Sequence, residues 1–371
     1  MKILSILGTR PEAIKMAPVI KELEKYTQEV ESLICVTGQH RQMLDQVLEL
    51  FDIHPDIDLN LMQPNQRLAL LTARLFEELD RVLEATRPDW VLAQGDTTTV
   101  FVAAVIAYYH NVRFGHVEAG LRTNDKRRPF PEEMNRRLAD AATDAWFAPT
   151  ERARRALLAE GFPDADIHIT GNTIVDALLE ISQRPFDWRK SALPVMPQDG
   201  RMVLITAHRR ESFGEPFREL CQAIRELAGS FPDIRFIYPV HLNPNVRHPV
   251  GEILHGLGNV HLIEPVDYLT LVHLMKRSAL VLTDSGGIQE EAPTFAVPVL
   301  VMRDTTERPE GVEAGVARLV GTRRENIVAE AADVLSNGSW IDTSHGTVNP
   351  YGDGQAARRI VDILLAAKAE N

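Results

Sequence analysis

Cysteine is scarce: Cys35 and Cys221 are the only two in 371 residues. Two thiols with no C-x-x-C spacing exclude a disulfide framework and a cysteine-based metal site, and they fit a reducing, cytoplasmic compartment. Basic residues fall short of acidic ones. The net charge of −12, without a basic run, argues against nucleic acid as a partner, and any anionic ligand must be held by a locally positive site. Long apolar runs are missing as well. None approaches the roughly 18 residues of a membrane span. The N-terminal apolar run stops at Arg10-Pro11-Glu12, so neither a membrane segment nor a signal peptide is expected. Metal-ligand spacing is also lacking. His241 and His248 form no HExxH, and Asp56-Ile57-Asp58 and Asp164-Ala165-Asp166, which imitate the D-x-D of some sugar transferases, stand in loop-like surroundings. No metal and no cofactor are expected.

What is present is the composition of a soluble globular protein, 44% hydrophobic and 25% charged, at a length that predicts two domains. Short apolar runs alternate with helical patterns, predicting strands at 2–7, 32–37, 90–93, 113–117, 146–148 and 167–169. A proline-rich stretch, 183–200, reads as a linker. The alternation then resumes with strands at 202–206, 235–240, 260–263, 279–283, 298–302 and 317–320. This is the pattern of α/β domains with parallel, doubly wound sheets. The expected boundaries are 1–182 and 183–354, with the last helical pattern, 355–371, packing back on the first half. Ligands of such sheets sit beyond the carboxyl ends of strands, so two halves facing across a cleft would enclose one.

The motifs gather at those strand ends. Thr283-Asp-Ser-Gly-Gly-Ile-Gln-Glu-Glu-Ala292 follows a strand and predicts a sharp turn, then a helix from Ile288. Ser285, Gly286 and Gly287 would cradle an anion at that helix start, and Glu291 would accept from a ribose diol, which points to a nucleotide-diphosphate sugar. An ordinary strand-to-helix turn is the plain alternative. Gly8-Thr-Arg-Pro-Glu12 puts Arg10 and Lys15 near another helix start, where a cation meets phosphate, with surface charge the simpler reading for Lys15. Gln94-Gly-Asp-Thr97 repeats the design, and Asp96 is a candidate helix cap. Glu118, just past an apolar strand, should be poorly solvated, which suits a base near neutrality. Glu132 and Glu133 open a helix, and for Glu133 the helix dipole is explanation enough. His208 follows a strand and can donate to phosphate or move a proton. Gly352-Asp-Gly-Gln-Ala-Ala357 imitates a dinucleotide fingerprint, but no apolar strand precedes it, and it is rejected as a nicotinamide site.

Taken in order, GTRPEAIKMAP (8–18), QGDTTT (94–99), GHVEAGLRT (115–123), PFPEEMNRR (129–137), TAHRRES (206–212), YPVHLNP (238–244), TDSGGIQEEAP (283–293) and VMRDTTERPEG (301–311) resemble the non-hydrolysing UDP-N-acetylglucosamine 2-epimerases. The resemblance implies two Rossmann-like domains in the glycosyltransferase B arrangement, a homodimer, and interconversion of UDP-N-acetylglucosamine and UDP-N-acetylmannosamine. It places Ser285, Gly286, Gly287, Arg10 and His208 around the diphosphate, Glu291 on the ribose and Arg308 beside the sugar-nucleotide. Asp96, Glu118 and Glu132 become the catalytic acids. Some members hold a second UDP-N-acetylglucosamine as activator, and Gln39, Gln42, Arg209 and His241 match the residues used there. Asn65 and Leu271 depart from the pattern, standing where relatives often carry an arginine and an aromatic residue. A glycosyltransferase of the same architecture, a hydrolysing 2-epimerase and a non-catalytic binding protein are the competing readings.

Overall fold

The computed structural model describes residues 1–38, 41–61, 66–188, 193, 200–341 and 349–369, without the side chains of 41–43 and 368–369. Most of the expected linker 183–200 therefore lies outside the described residues. The chain divides into two compact units, Met1–Ala177 with Gly352–Asn371, and Leu178–Tyr351.

The first unit runs β1 (Lys2–Leu7), α1 (Arg10–Leu23), β2 (Glu31–Val36), α2 (Arg41–Leu50), β3 (Ile57–Asp58), α3 (Leu68–Thr86), β4 (Trp90–Gln94), α4 (Thr98–Tyr109), β5 (Arg113–Val117), α5 (Glu132–Ala141), β6 (Ala145–Ala148), α6 (Glu151–Ala159) and β7 (Ile167–Ile169). The unit boundary falls inside α7 (Thr173–Ser182). Its strands form one parallel sheet in the order β3-β2-β1-β4-β5-β6-β7. β1 and β4 are buried along nearly their whole length, as strands covered by helices on both faces must be. Register sets Ile6 beside Ala93, so the turns beginning at Gly8 and Gly95 leave the sheet at the same level. The strand order reverses between β1 and β4, and the helices that follow them depart to opposite faces, leaving a crevice at that point. The sequence missed β3. Two residues are too short for a periodic signal; Ile57 and Asp58, read as loop-like, pair with β2, and Asp56, in the bend before them, accepts from the Ile34 amide at 2.8 Å.

The second unit runs β8 (Met202–Thr206), α8 (Glu215–Ser230), β9 (Arg235–Pro239), α9 (Pro244–Leu254), β10 (Val260–Ile263), α10 (Tyr268–Arg277), β11 (Leu280–Thr283), α11 (Gly286–Glu291), β12 (Val299–Val301), α12 (Pro309–Glu313), β13 (Ala317–Leu319) and α13 (Arg324–Asn337). Its parallel sheet has the order β10-β9-β8-β11-β12-β13, with the reversal between β8 and β11. There Thr206 lies beside Thr283, their hydroxyls 2.7 Å apart. Phe217, Leu220 and Ile224 of α8 and Val334 of α13 fill the space against β8 and β9.

The last helix, α14 (Ala356–Ala369), belongs to the first unit and packs against α1. Its first amides, Ala356 and Ala357, donate to the carboxylate of Asp176 on α7 at 3.3 and 2.9 Å. The fingerprint-like Gly352-Asp-Gly thus leads into a helix start whose anion is already a side chain. Burial raises Asp176 to about 6 against those two donors.

Candidate active site

In the first unit the turn after β1 is tied together by Glu12, which the sequence reading passed over. Glu12 completes a capping box with Thr9 at the start of α1. One carboxylate oxygen accepts from the amides of Gly8 and Thr9 at 2.6 and 2.5 Å, and the other from the Thr97 hydroxyl in the turn after β4. A single side chain thus binds both turns of the crevice. Burial raises it to about 7, against hydrogen bonds that pull the other way. Space is short: a Cβ on Gly8 would sit 2.6 Å from Thr99 Oγ1 and 2.8 Å from Glu12 Oε2.

Glu118, directly after β5, is buried and adopts a left-handed φ of +66°. Such a backbone is uncommon for a side chain with a Cβ and is often found at functional sites. Both of its oxygens lie 2.7 Å from Lys15 Nζ, and Gln94 and Asn172 donate to it. The surface-charge reading of Lys15 is corrected here. Its side chain is nearly buried and serves as counter-ion to the carboxylate, which is how a charge survives in a dry place.

Asp96 is not a helix cap. Thr97 caps α4, accepting from the Val100 amide, while Asp96, one residue earlier, takes Arg136 Nη2 at 2.5 Å. Asn135 holds the Asp96 carbonyl at 3.0 Å, so α5 grips this turn twice. Glu132 opens α5 half-buried, one residue before Glu133. Glu133 stands in the first turn of α5, where the dipole favours a carboxylate, and has a further role. The side chain is fully buried and accepts from the amides of Thr123 and Asn124 at 3.0 and 3.2 Å, clamping the loop that follows Glu118. Arg10 sits half-buried at the first position of α1. The structure therefore brings Lys15 and Glu118 into contact, pairs Asp96 with Arg136, and carries Arg10 and Glu132 on the helices that supply those partners.

In the second unit the turns after β8 and β11 meet. Asp284, another residue given no role in the sequence reading, is fully buried and accepts from the amides of both His208 and Arg209 at 2.7 Å. Burial raises Asp284 above the usual carboxylate range, and burial also lowers His208, which favours the neutral ring. The His208 ring stacks on His241 with centroids 5.3 Å apart. Helix α11 begins at Gly286, two residues earlier than expected, with Ser285 as its N-cap residue, making no side-chain cap hydrogen bond. Arg209 Nη2 would lie 3.4 Å from a Cβ on Gly286. His208, Arg209, Ser285, Gly286 and Gly287 thus occupy one crevice, where first-turn amides lack intrahelical acceptors. Gly287 has Glu291 beside it: a Cβ there would meet Glu291 Oε1 at 3.5 Å. Arg308 is bound to buried Glu290 through Nε, and Tyr351 donates to the Arg308 carbonyl at 3.1 Å. Of the four residues matched to an activator site, Arg209 and His241 lie at this crevice. Gln39 and the side chain of Gln42 lie outside the described residues, as does Asn65.

Residues 21–365 match the family described as UDP-N-acetylglucosamine 2-epimerase. The chain is 51% identical to the UDP-N-acetylglucosamine 2-epimerase of Escherichia coli O157:H7, covering 98% of each chain. Among solved structures it is similar to the UDP-GlcNAc 2-epimerase of Neisseria meningitidis bound to UDP-GlcNAc, at 46% identity and a TM-score of 0.88 over 99% of this chain and 100% of that one. It is also similar to the Methanocaldococcus jannaschii enzyme in complex with UDP-GlcNAc and UDP, at 35% identity and a TM-score of 0.79 over 98% and 99%.

Proposed function

The chain belongs to the UDP-N-acetylglucosamine 2-epimerase family, and from that premise we propose that it interconverts UDP-N-acetylglucosamine and UDP-N-acetylmannosamine by eliminating and re-adding UDP. The C2 hydrogen is not acidified by an adjacent carbonyl. As the bond from C1 to the diphosphate oxygen breaks, the electron pair leaves with UDP, and positive charge grows on the ring. A carboxylate then takes the C2 proton, and the C2–H pair becomes the double bond of a 2-acetamidoglucal. Re-addition of UDP at C1, with a proton delivered to the other face of C2, gives the epimer. Departure of UDP calls for positive charge and hydrogen-bond donors on the diphosphate, and we assign the charge to Arg10 and the donors to His208, Ser285, Gly286 and Gly287, with Glu291 on the ribose and Arg308 beside the sugar-nucleotide. Proton transfer calls for acid and base groups, and we assign Asp96, Glu118 and Glu132 as a set.

The observation that carries the reading is the buried Glu118 paired with Lys15, beside a turn in which Asp96 is held by Arg136. Proton NMR of the protein with UDP-N-acetylglucosamine in deuterated water tests it. Appearance of the manno epimer with deuterium at C2 is expected, and epimerisation that retains the original hydrogen would sink the elimination route. Free N-acetylmannosamine would identify the hydrolysing reaction, and an unchanged substrate would favour a transferase.

A homodimer is part of the proposal. α4 is apolar on every face, yet it ends in Tyr108 and Tyr109, each about 70% exposed, and Leu68, Leu70, Met134 and Leu138 are exposed on the neighbouring α3 and α5. A helix of that kind is normally covered. Tyr109→Glu is expected to yield monomers in analytical ultracentrifugation, and an unchanged dimer would place the interface elsewhere. Both cysteines are buried and free, which supports the cytoplasmic placement, and no described helix is long and apolar enough to cross a membrane.

A further inference from the structure

The sequence reading assigned nothing to His116, yet its surroundings determine its protonation. It lies fully buried near the end of β5, two residues before Glu118. Nε2 is 2.7 Å from the Gly95 carbonyl oxygen, and Nδ1 is 2.6 Å from Asp140 Oδ1. A carbonyl only accepts, so Nε2 carries a proton. The second oxygen of Asp140 takes Arg122 Nη2 at 2.7 Å, and a carboxylate beside a guanidinium stays ionised and accepts at both oxygens. Nδ1 therefore carries a proton too. A neutral ring has one donor, and would leave either the Gly95 carbonyl or Asp140 facing a lone pair of a fully buried ring.

We propose that His116 is a permanent imidazolium that acts as a positioning residue, its two N–H groups bracing the carriers of all three catalytic carboxylates against one strand. Nδ1–H ties β5 to Asp140 on α5, the helix that begins with Glu132 and supplies Arg136 to Asp96. Nε2–H ties β5 to the turn after β4. That turn is held at both ends of one residue: the Gly95 amide donates to the Val117 carbonyl at 3.0 Å, and its carbonyl accepts from His116. Gly95 has a φ of +86°, a conformation that needs glycine, and Asp96 follows directly. The charges balance. Arg122 and His116 face Asp140, Arg122 also pairs with Glu160 beyond α6, and Arg137 links Glu160 to Glu133, which Arg136 joins to Asp96, giving four cations and four carboxylates. The Phe114 ring, on the same strand, lies with its centroid 6.1 Å from that of His116, and Trp146 on β6 is the register partner of His116. Burial opposes the charged form of His116, but Asp140 and the hydrogen bonds prevail and raise it above the ordinary histidine value, while Asp140 is lowered despite its own burial.

The role rests on the assignment of Asp96, Glu118 and Glu132 as the acid/base set, whereas the charge state does not. Protein labelled with nitrogen-15 in histidine, read by two-bond proton–nitrogen correlation, reports the ring directly, and contacts with Phe114 identify His116. Both nitrogens are expected to stay protonated above the ordinary histidine range, the direction in which Asp140 and the two hydrogen bonds move the ring. A ring that loses a proton within that range overturns the proposal whatever the reaction. His116→Gln keeps one donor of two. Its kcat, counted per UDP-binding site, is expected to fall about a hundred-fold with KM within about two-fold, the signature of misplaced reacting groups. An unchanged kcat, or a loss that only tracks the number of UDP-binding sites, overturns the positioning role. Wild-type protein without turnover would instead overturn the functional reading.

Discussion

A carboxylate that takes a proton from carbon has to be charged, dry and aimed, and Glu118 meets these demands through its neighbours. Lys15 supplies the charge balance in a near-buried pair, while Gln94 and Asn172 fix the plane of the carboxylate. Glu118→Gln retains the shape and removes the proposed base. Turnover is expected to fall by about two to four orders of magnitude, as for loss of a general acid or base, with UDP affinity unchanged in calorimetry. Near-normal turnover would remove Glu118 from the set. Glu12 makes a different prediction, because its carboxyl is buried as well as hydrogen-bonded. Its folded value, about 7, lies above the ordinary 4.5, so folding prefers the protonated acid. The stability it contributes is present in full below the unfolded value and is lost as pH rises through the folded one, a difference on the order of 3 kcal/mol. Glu12→Gln mimics the protonated form. In urea unfolding it should gain on the wild type between about pH 5 and pH 8, the window set by that shift. Parallel curves for the two proteins would show that Glu12 does not titrate there.

At the scale of elements, both sheets reverse strand order between a central pair, β1 and β4 in one unit and β8 and β11 in the other; the turns that bear Arg10, Asp96, His208 and Ser285 lie at those reversals, and Glu118 lies one strand further on, after β5. Much of this was legible, because parallel strands covered on both faces are nearly continuous apolar runs. The sequence therefore located every strand except the two-residue β3. It also located the turns that bear Arg10, Asp96, Glu118, His208 and Ser285, since glycines and polar residues interrupt the apolar runs there. Long-range pairing was not legible. Asp96 and Thr97 are equally good caps by local chemistry, and only Arg136, on a helix placed by the fold, draws Asp96 away. Lys15 read as surface because nothing within a helical turn of it foretells Glu118. Asp284 was hidden in the same way. It looks like part of a phosphate turn but spends its carboxylate on the amides of the turn after β8. Asp284→Ala removes the one oxygen, Oδ2, that accepts from both amides and frees the turn that carries His208. UDP affinity is expected to weaken about ten- to a hundred-fold, in line with the loss of hydrogen bonds to a charged group. Unchanged affinity would mean that the turn holds its shape without Asp284.

For the whole molecule, the informative feature is that the first unit is discontinuous: it is completed only when the chain returns at Gly352. The returning helix α14 buries Ile360, Val361 and Leu364 completely and packs against α1, the helix that carries Arg10, Glu12 and Lys15. Arg359 fastens it further, donating to the Thr170 carbonyl at 3.0 Å and to both oxygens of Asp353. Each large aliphatic side chain withdrawn from water contributes about 1.5–3 kcal/mol, so these three approach the net stability of an ordinary domain. The helix that supplies Lys15 to Glu118 therefore depends on the far end of the sequence, whereas β8 and β11 have a core built from residues of their own unit. Removal of residues 352–371 should show which dependence governs. Hydrogen–deuterium exchange is expected to reveal lost protection in β1 and α1, with β8 and β11 still protected and epimerisation abolished. Equal loss across both units would mean that they fold as a single cooperative body, and the stability of the diphosphate-binding unit would then rest on α14 as well.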